Sequence, residues 1–390
     1  MNKRAVTGRK RTRVKSQVVR EGAAAYIATA ITGQFFGPSN EQHYILLHGD
    51  SEKVLRELPA SSVNCCMTSP PYWRQRVYDS HSGLGTEPTF QEYVSRLVRI
   101  FHELKRVLKQ DGSLWLNLGD AYLNKNLLGM PWRVALALHD GGWILRNAVV
   151  WDKVKGNPDN AKDKLRNMYE FVFHLVQSDE YYYDADAIRQ PPGQPYRKDG
   201  RIVTPTGVSG RKYEQQIISS GALSAEEKAN ALRALREALT KVENGLMPDF
   251  RMIIRGEQRS THSDSPEFSG RADELRKRGY CILPYHQRGA KPGDVWRIIP
   301  EDECRKDTHY AVFPTDLCRI PILATCPEKG IVLDPFAGTG TTIVAAIALR
   351  RRGVGMDTSA LYLKEAKTRI EGYLADTKFE RAQGRLFQNA

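Results

Sequence analysis

Short apolar runs alternate with amphipathic segments from Tyr44 onward, and this alternation constrains the fold more than any other feature of the sequence. The apolar runs are 44–49, 63–68, 113–118, 143–151 and 169–176, and the segments with helical periodicity are 52–58, 90–108 and 131–139. Buried parallel strands need continuous apolar residues, and the chain returns between them across a face of the sheet, usually as a helix. The pattern therefore predicts a parallel sheet with helices on its faces, a turn at Asp111-Gly112 and an antiparallel edge formed by the last two runs.

The pattern changes between about Asp184 and Gly293, where prolines and scattered basic residues replace the strand signals and one helical stretch, 225–242, stands out. It resumes with a helix over 315–326, a strand over 331–334, a helix from about Gly340, a strand over 354–357 and a last helix from Ser359. Pro321 predicts a kink or an early break in its helix because it removes a backbone hydrogen bond. The 390 residues, of which 41% are hydrophobic, suffice for a three-layer α/β domain with an inserted module.

The segment 331–342 is an apolar strand that ends in a carboxylate, Asp334, and then turns through Gly338 and Gly340 into a helix. Glycines at such a turn let the backbone approach a ligand closely at the carboxyl edge of a sheet. A phosphate-binding P-loop is excluded because Thr341 stands where its lysine would be, and the third glycine of the dinucleotide fingerprint is missing. The next strand ends in Asp357, whose carboxylate can accept hydrogen bonds from two ribose hydroxyls. A nucleoside cofactor without phosphates fits both observations.

A second motif, Thr68-Ser-Pro-Pro-Tyr-Trp73, follows another apolar run and so leaves the sheet at the same edge. On its own, Ser-Pro-Pro-Tyr is typical of a surface turn. The motif also suits the exocyclic amine of a nucleobase, which becomes nucleophilic only when acceptors such as the Ser69 hydroxyl and the Pro70 carbonyl hold its N–H groups. Tyr72 offers a stacking face for a base flipped out of a duplex, and Trp73 either closes the other side or packs.

The chain is strongly basic, with a formal charge of +13 and a pI near 9.4. Such a surface attracts a polyanion and releases its counterions, so nucleic acid is the natural partner. Residues 1–20 carry basic and no acidic side chains, which is typical of a solvated tail or of an arm that follows DNA. The six cysteines form no CxxC pair, which argues against a zinc site and a disulfide framework. No apolar run suits a membrane span or a secretory signal, so we expect a soluble, cytoplasmic protein, associated with the nucleoid in a prokaryote.

Together the two motifs resemble the amino-methylating DNA methyltransferases of the permuted beta class, in which the Ser-Pro-Pro-Tyr half precedes the cofactor half. The resemblance covers residues 44–375 and is interrupted by the inserted module. Further matches are His48-Gly-Asp-Ser51, Lys109–Asp120, Trp151-Asp-Lys153, Tyr169-Glu170 and Thr308–Leu317. The resemblance implies a Rossmann-like three-layer methyltransferase fold. Its parts would be a basic arm (1–40), a catalytic half (41–185), a target-recognition insertion (186–293) and an S-adenosylmethionine-binding half (294–390).

By this resemblance the enzyme flips a base out of double-stranded DNA and methylates its exocyclic nitrogen with S-adenosylmethionine as the cofactor. The residues implied for catalysis are Ser69, Pro70, Pro71 and Tyr72. Those implied for the cofactor are Asp50 at the adenine amino group, Asp357 at the ribose, and Phe313, Asp334, Phe336, Ala337, Gly338, Gly340, Thr341 and Thr342 around the methionine part. We leave Asp120, Lys153, Glu170 and His309 out of the catalytic assignment, since each is equally explained as a solvated charge or a structural hydrogen-bond partner. No metal is implied.

Several alternatives remain open at this stage. Adenine N6 methylation needs the same hydrogen-bonded amine, although Ser69, in place of an aspartate, favours cytosine N4. Relatives that methylate RNA or protein glutamine usually carry Asn before the two prolines. A cytosine C5 enzyme needs a cysteine nucleophile, whereas Cys65 and Cys66 lie inside a strand and Cys326 precedes a proline. A catalytically dead DNA-binding scaffold predicts eroded motifs, and these are intact; the recognition sequence, the oligomeric state and a partner endonuclease stay undetermined.

Overall fold

The computed structural model describes residues 18–19, 35–37, 42–74, 83–155, 161–256, 270–300 and 313–382. The chain divides into two compact units, one formed by Met1–Asp184 with Gly293–Ala390 and the other by Ala185–Pro292. Most of the basic segment 1–20, together with Cys304 and His309, lies outside the described residues.

The described elements are numbered here in chain order. The strands are β1 (Val18–Val19), β2 (Tyr44–His48), β3 (Val63–Thr68), β4 (Leu108–Leu118), β5 (Tyr122–Leu123), β6 (Asn126–Leu127), β7 (Ile144–Asp152), β8 (Tyr169–Val176), β9 (Tyr196–Lys198), β10 (Arg201–Val203), β11 (Phe250–Ile254), β12 (Tyr280–Pro284), β13 (Val295–Arg297), β14 (Ile331–Asp334) and β15 (Arg352–Asp357). The helices are α1 (Ser51–Glu57), α2 (Phe90–Val107), α3 (Met130–Asp140), α4 (Arg211–Ser219), α5 (Ala225–Glu243), α6 (Gly270–Arg278), α7 (Thr315–Thr325), α8 (Thr341–Ala348) and α9 (Ala360–Ala382).

The first unit is built on a nine-stranded sheet with the order β1-β2-β15-β14-β3-β4-β8-β7-β13. Among the described strands of this sheet only β8 runs against the others, being antiparallel to both β4 and β7. The prediction that β7 and β8 together form an antiparallel edge is therefore wrong in part, because β13 pairs in parallel with β7 and forms the edge itself. A strand of three residues carries too little periodicity to be read from sequence. The predicted α/β class is confirmed.

The long helix α2 shows why the main core lies where it does. A capping box between Thr89 and Glu92 starts the helix, and Tyr93, Leu97 and Phe101 recur at the spacing that brings side chains onto one face. These side chains are fully buried in a cluster with the inner faces of β3, β4 and β8. A second buried cluster, on residues of the same strands and of α7, occupies the other face. The sheet is thus covered on both sides, as three layers require.

Two local predictions are wrong: a turn at Asp111-Gly112 and an early break of the helix at Pro321. The Asp111-Gly112 turn is absorbed into the continuous strand β4, whose pairing with β3 shifts register between Val63 and Cys65. A Cβ at Gly112 would lie 3.0 Å from the backbone oxygen of Asn64, so the glycine permits this close, irregular pairing. The helix α7 is not broken at Pro321 but continues to Thr325, whose hydroxyl donates a hydrogen bond of 2.7 Å to the Pro321 carbonyl.

The described parts of the N-terminal segment pack on the first unit rather than extending into solvent. Val18–Val19 pairs in parallel with Leu46 and Leu47 of β2. Phe35 is fully buried in the main core, and its carbonyl accepts a hydrogen bond of 2.8 Å from Arg352. The prediction of a solvated tail over residues 1–20 therefore does not hold at Val18–Val19, and the basic arm over residues 1–40 stays a prediction.

The second unit has its own core, formed by side chains of α4, α5 and the antiparallel pair β11–β12. Only α5 was predicted, because short ribbons and helices of about ten residues give weak periodic signals. Phe250 is fully buried in this core, and Tyr213 packs against it. No helix among the described residues is long and apolar enough to cross a membrane.

Candidate active site

The carboxyl ends of four parallel strands meet at one edge of the sheet. β14 lies between β3 and β15, and β2 follows β15, so the Ser-Pro-Pro-Tyr motif, the glycine turn and Asp357 are neighbours although they are far apart in sequence. The hydroxyl of Thr68, the last residue of β3, donates a hydrogen bond of 2.6 Å to Asp334 Oδ1 at the end of β14. The two motifs are therefore bonded directly to each other.

Asp334 is buried, with about 1% of its surface exposed, and its carboxylate accepts three hydrogen bonds. Thr68 Oγ1 and the backbone N–H of Phe336 donate to Oδ1, at 2.6 and 3.0 Å, and Thr342 Oγ1 donates to Oδ2 at 2.6 Å. Burial raises the pKa of Asp334 to about 6, and the three donors limit the rise. The Asp334 carboxylate, whose ionisation is unfavourable because it is buried, thus fixes the start of the glycine turn.

The turn itself joins β14 to α8 through two glycines with left-handed backbone, Gly338 (φ 51°) and Gly340 (φ 78°). Gly340 is the N-cap of α8, where its positive φ suits glycine. The Ala337 N–H donates to the Met356 carbonyl at 2.8 Å, and the Gly338 N–H donates to Asp357 Oδ2 at 2.9 Å. The turn is therefore fastened to β15, so its backbone is held in place before any ligand arrives.

Asp357 stands at the end of β15 and also accepts the Ser359 N–H on Oδ1 at 2.8 Å. Burial raises its pKa, against hydrogen bonds from the backbone of Ser359 and Gly338 that lower it. Each carboxylate oxygen has a second lone pair, so the group can accept further hydrogen bonds from a ligand.

The remaining residues of the turn are mainly supporting. The Thr341 hydroxyl accepts a hydrogen bond of 2.7 Å from Arg369, and Thr342 bonds to Asp334 as described; both side chains are buried. Phe336 is half-buried against the main core. Phe313 is half-buried against the second core cluster, and Pro314 is the N-cap of α7.

Asp50 is the N-cap of α1, where Oδ1 accepts the Glu52 and Lys53 N–H groups. Its Oδ2 forms an ion pair of 3.2 Å with Arg96 of α2. The adjacent Ser51 hydroxyl donates to the Pro335 carbonyl at 2.5 Å, which brings this cap beside the glycine turn. Asp50 therefore has a structural role as a helix cap, and its contact with the cofactor stays a prediction.

The Ser-Pro-Pro-Tyr motif is anchored by its own neighbours. The Tyr93 hydroxyl donates to the Pro71 carbonyl at 2.9 Å. Trp73 is buried and its indole donates to the Glu87 carbonyl at 2.9 Å, so Trp73 packs in the core instead of closing the site. Pro70 is buried as well. The loop thus has a fixed course around Ser69 and Tyr72.

A chain of hydrogen bonds leads away from Ser69 and contains residues that our sequence reasoning set aside. The Ser69 hydroxyl lies 3.2 Å from the Tyr72 hydroxyl, which donates to Glu170 Oε2 at 2.7 Å. Asn117 Nδ2 donates to the same Glu170 oxygen at 3.0 Å, and Lys153 Nζ pairs with Oε1 at 2.5 Å. The matches at Trp151-Asp-Lys153 and Tyr169-Glu170 were the available signal, since both fall at strand ends on this edge.

Asp120 and the cysteines have structural explanations. Asp120 Oδ1 accepts the Ala121 and Met130 N–H groups at 2.8 and 2.9 Å, which fixes the approach to α3. The described cysteines are buried, and burial raises the pKa of the Cys65 thiol to about 12. The Cys65 thiol is therefore a poor nucleophile. The described residues also contain no His, Cys, Asp and Glu cluster suited to a metal ion.

Comparison with known proteins gives a consistent assignment. Residues 63–368 match the N6/N4 family described as DNA methylase. The type II methyltransferase M.SfiI of Streptomyces fimbriatus is 33% identical over 379 residues, which cover 83% of this chain and 90% of that protein. M.Cfr9I of Citrobacter freundii is 29% identical and covers 84% and 87%.

Among solved structures, the cytosine-N4-specific PvuII DNA methyltransferase superposes with a TM-score of 0.52 at 15% identity, covering 86% of this chain and 91% of that one. This likeness supports the methyltransferase fold expected from the sequence. The match to the family over residues 63–368 and the 33% identity to M.SfiI also establish the family. The chain belongs to the N6/N4 DNA methylase family and is a DNA methyltransferase.

Proposed function

We propose that this enzyme transfers a methyl group from S-adenosylmethionine to the N4 amine of a cytosine flipped out of duplex DNA. The observation that carries the proposal is the position of Ser69. It directly follows Thr68, whose hydroxyl donates a hydrogen bond of 2.6 Å to Asp334, the residue at which the glycine turn leaves β14. An amine held at Ser69 would thus meet a cofactor held at the turn.

The chemistry assigned to the motif is positioning. The Ser69 hydroxyl and the Pro70 carbonyl accept the two N–H groups of the amine and turn its lone pair toward the methyl donor. Tyr72 contributes the ring against which the flipped base stacks. The hydrogen bond from Tyr93 to the Pro71 carbonyl keeps the loop in position. Once methylated, the nitrogen loses a proton and becomes a neutral secondary amine. No covalent enzyme intermediate is needed.

The residues at the glycine turn fit S-adenosylmethionine. Bound there, the cofactor supplies an electrophilic methyl group on a sulfonium. The buried Asp334 carboxylate offers a negative charge near a site for a cationic ligand, and the glycine backbone permits close approach. We assign Phe313, Phe336, Ala337, Gly338 and Gly340 to the walls around the methionine part, with Thr341 and Thr342 fixing the turn. Asp357 takes the ribose hydroxyls, and Asp50 the adenine amine.

The inserted unit is the proposed target-recognition region. Several arginines there are committed to ion pairs within the unit, such as Arg197 with Glu243 and Arg255 with Glu227. The exposed Arg211 and Lys212 at the start of α4, and Lys198 and Arg278, are better candidates for contacts with phosphates. Replacing Arg211 and Lys212 by Ala should weaken DNA binding and flatten its dependence on salt. A partner endonuclease would suit a type II enzyme.

The test is to incubate the purified protein with unmethylated duplex DNA and labelled S-adenosylmethionine and to identify the methylated nucleoside by mass spectrometry. We expect N4-methylcytosine, lost in Ser69→Ala and Tyr72→Ala. Ser62→Ala is a matched control, because Ser62 precedes the same strand β3 at its opposite end and its hydroxyl donates to the nearby Pro59 carbonyl. N6-methyladenine would keep the mechanism and change the base. No labelled base would refute the proposal.

A further inference from the structure

Glu170 sets the donor and acceptor roles in the hydrogen bonds that lead from Ser69 through Tyr72. A carboxylate only accepts hydrogen bonds, so the single proton of the Tyr72 hydroxyl must point at Glu170 Oε2, 2.7 Å away. The other neighbour of this hydroxyl, Asn117 Oδ1 at 3.3 Å, is also an acceptor. The Asn117 amide cannot be reversed without loss, because its Nδ2 donates to Glu170 Oε2 and to the Phe171 carbonyl at 3.0 and 3.2 Å.

Among the described residues, Ser69 is therefore the one side chain from which the Tyr72 oxygen can accept a hydrogen bond. The Ser69 proton points at Tyr72 along the 3.2 Å contact, and the serine lone pairs face the other way. Burial first, and then the charge of Glu170, raise the pKa of Tyr72, which keeps the phenol protonated and able to donate. An isolated serine hydroxyl rotates freely and can donate as readily as it accepts.

We propose that Glu170 is a positioning residue: acting through Tyr72, it fixes the Ser69 hydroxyl as an acceptor for the amine of the target base. The proposal rests on the proposed function and adds a residue that the Ser-Pro-Pro-Tyr motif does not contain. Lys153 holds Glu170 in place, with side chains that are 26% and 13% exposed. Because the Ser69 hydroxyl is already oriented as an acceptor, it does not have to reorient when the base enters.

The strand pairing explains how Glu170 reaches the motif from 98 residues away. β8 runs against its neighbours, so its first residues lie at the edge where the parallel strands end. In the pairing of β7 with β8, Glu170 lies opposite Trp151, and Lys153 follows Trp151 by two residues. Gly119 leaves room for the arrangement, because a Cβ there would lie 2.7 Å from Tyr72 Cε2 and 3.2 Å from Glu170 Oε1.

The experiment is a double-mutant cycle between Glu170→Gln and Tyr72→Phe, both nearly isosteric. Gln can donate to the Tyr72 oxygen, so the direction of the chain is no longer imposed. We expect kcat of Glu170→Gln to fall about tenfold, equivalent to about 1.4 kcal/mol, with little change in KM. In the Tyr72→Phe background the same substitution should add nothing. Glu180→Gln, just beyond the other end of β8 and exposed, is the matched control and should retain wild-type kcat.

A second readout needs neither cofactor nor DNA. In protein labelled with [13Cζ]tyrosine, the Tyr72 resonance is identified by its loss in Tyr72→Phe. It should move in Glu170→Gln and stay in Glu180→Gln. An unmoved resonance, or an undiminished effect of Glu170→Gln on kcat in the Tyr72→Phe background, overturns the inference. A wild-type protein that methylates no DNA contradicts the proposed function instead, while the resonance still reports on the chain.

Discussion

Replacing Asp334 by Asn tests whether the buried charge at this position lowers the stability of the protein. Asp334 is the buried carboxylate that joins Thr68 of β3 to the glycine turn. The amide can keep this network, because its oxygen accepts from Thr68 and Phe336 as before. Its nitrogen then donates to Thr342, whose hydroxyl can turn toward the Met67 carbonyl, 3.4 Å away. The substitution should therefore remove the charge and preserve the fold.

The sign of the effect follows from the raised pKa. Burial moves the Asp334 pKa from 3.8 to about 6, so the folded state prefers the protonated form. The cost of ionisation is absent at low pH, grows as the pH rises from 3.8 to about 6 and is constant above that range. By linkage it amounts to about 1 kcal/mol at pH 4.5 and about 3 kcal/mol at pH 7.5. The asparagine variant has no ionisable group at this position, so this cost is absent at both pH values.

The measurement is urea unfolding of the free wild-type and Asp334→Asn proteins between pH 4.5 and 7.5. The stability of the variant relative to wild type should rise by about 2 kcal/mol across this range. Asp140→Asn, whose side chain is 83% exposed, should follow the wild-type curve. A difference that is independent of pH, or that shrinks as the pH rises, would refute the reasoning.

Three further substitutions probe neighbouring contacts. Gly119→Ala places a Cβ 2.7 Å from the Tyr72 ring, so kcat should fall at least about tenfold with a small shift of the unfolding midpoint; full activity would count against the packing. Thr68→Val removes a donor that lowers the Asp334 pKa, so stability should drop by about 1–2 kcal/mol at neutral pH and decline more steeply with rising pH; parallel unfolding curves would contradict this. Asp357→Asn should weaken S-adenosylmethionine binding about tenfold in calorimetry, and unchanged affinity would remove Asp357 from the proposed site.

The sequence was most informative where burial is complete. Strands β3, β8 and β14 have the bounds that their apolar runs predicted. β3 and β14 are buried along their whole length and β8 is buried from Val172 onward, and buried strands are rich in apolar residues. The same argument failed for β13, which has three residues at the edge. It failed again at Gly112, where a turn signal marks a close backbone approach within a continuous strand. Short or irregular elements depend on tertiary contacts that a local pattern does not contain.

Glu170 and Lys153 show the corresponding limit for the site. Each was a charged residue at a strand end, and nothing local separates a solvated charge from a bonded one. Their role becomes visible only when the antiparallel β8 brings Glu170 to Tyr72 and Asn117. The motif residues could be found by their spacing, whereas the residues that orient them depend on strand order.

The link between Thr68 and Asp334 explains why two weak motifs form one site. Each motif alone is a turn after a strand, and 266 residues separate the two bonded side chains. Because β3 and β14 are parallel neighbours, both turns emerge on the same edge, and a single buried carboxylate accepts donors from both. A neutral side chain would be more stable there at neutral pH, yet it could not accept from all three donors while also presenting a negative charge to a cationic ligand. Because the asparagine variant keeps these hydrogen bonds, the stability difference between Asp334 and this variant measures how much stability the fold loses by keeping a charge where the two motifs meet.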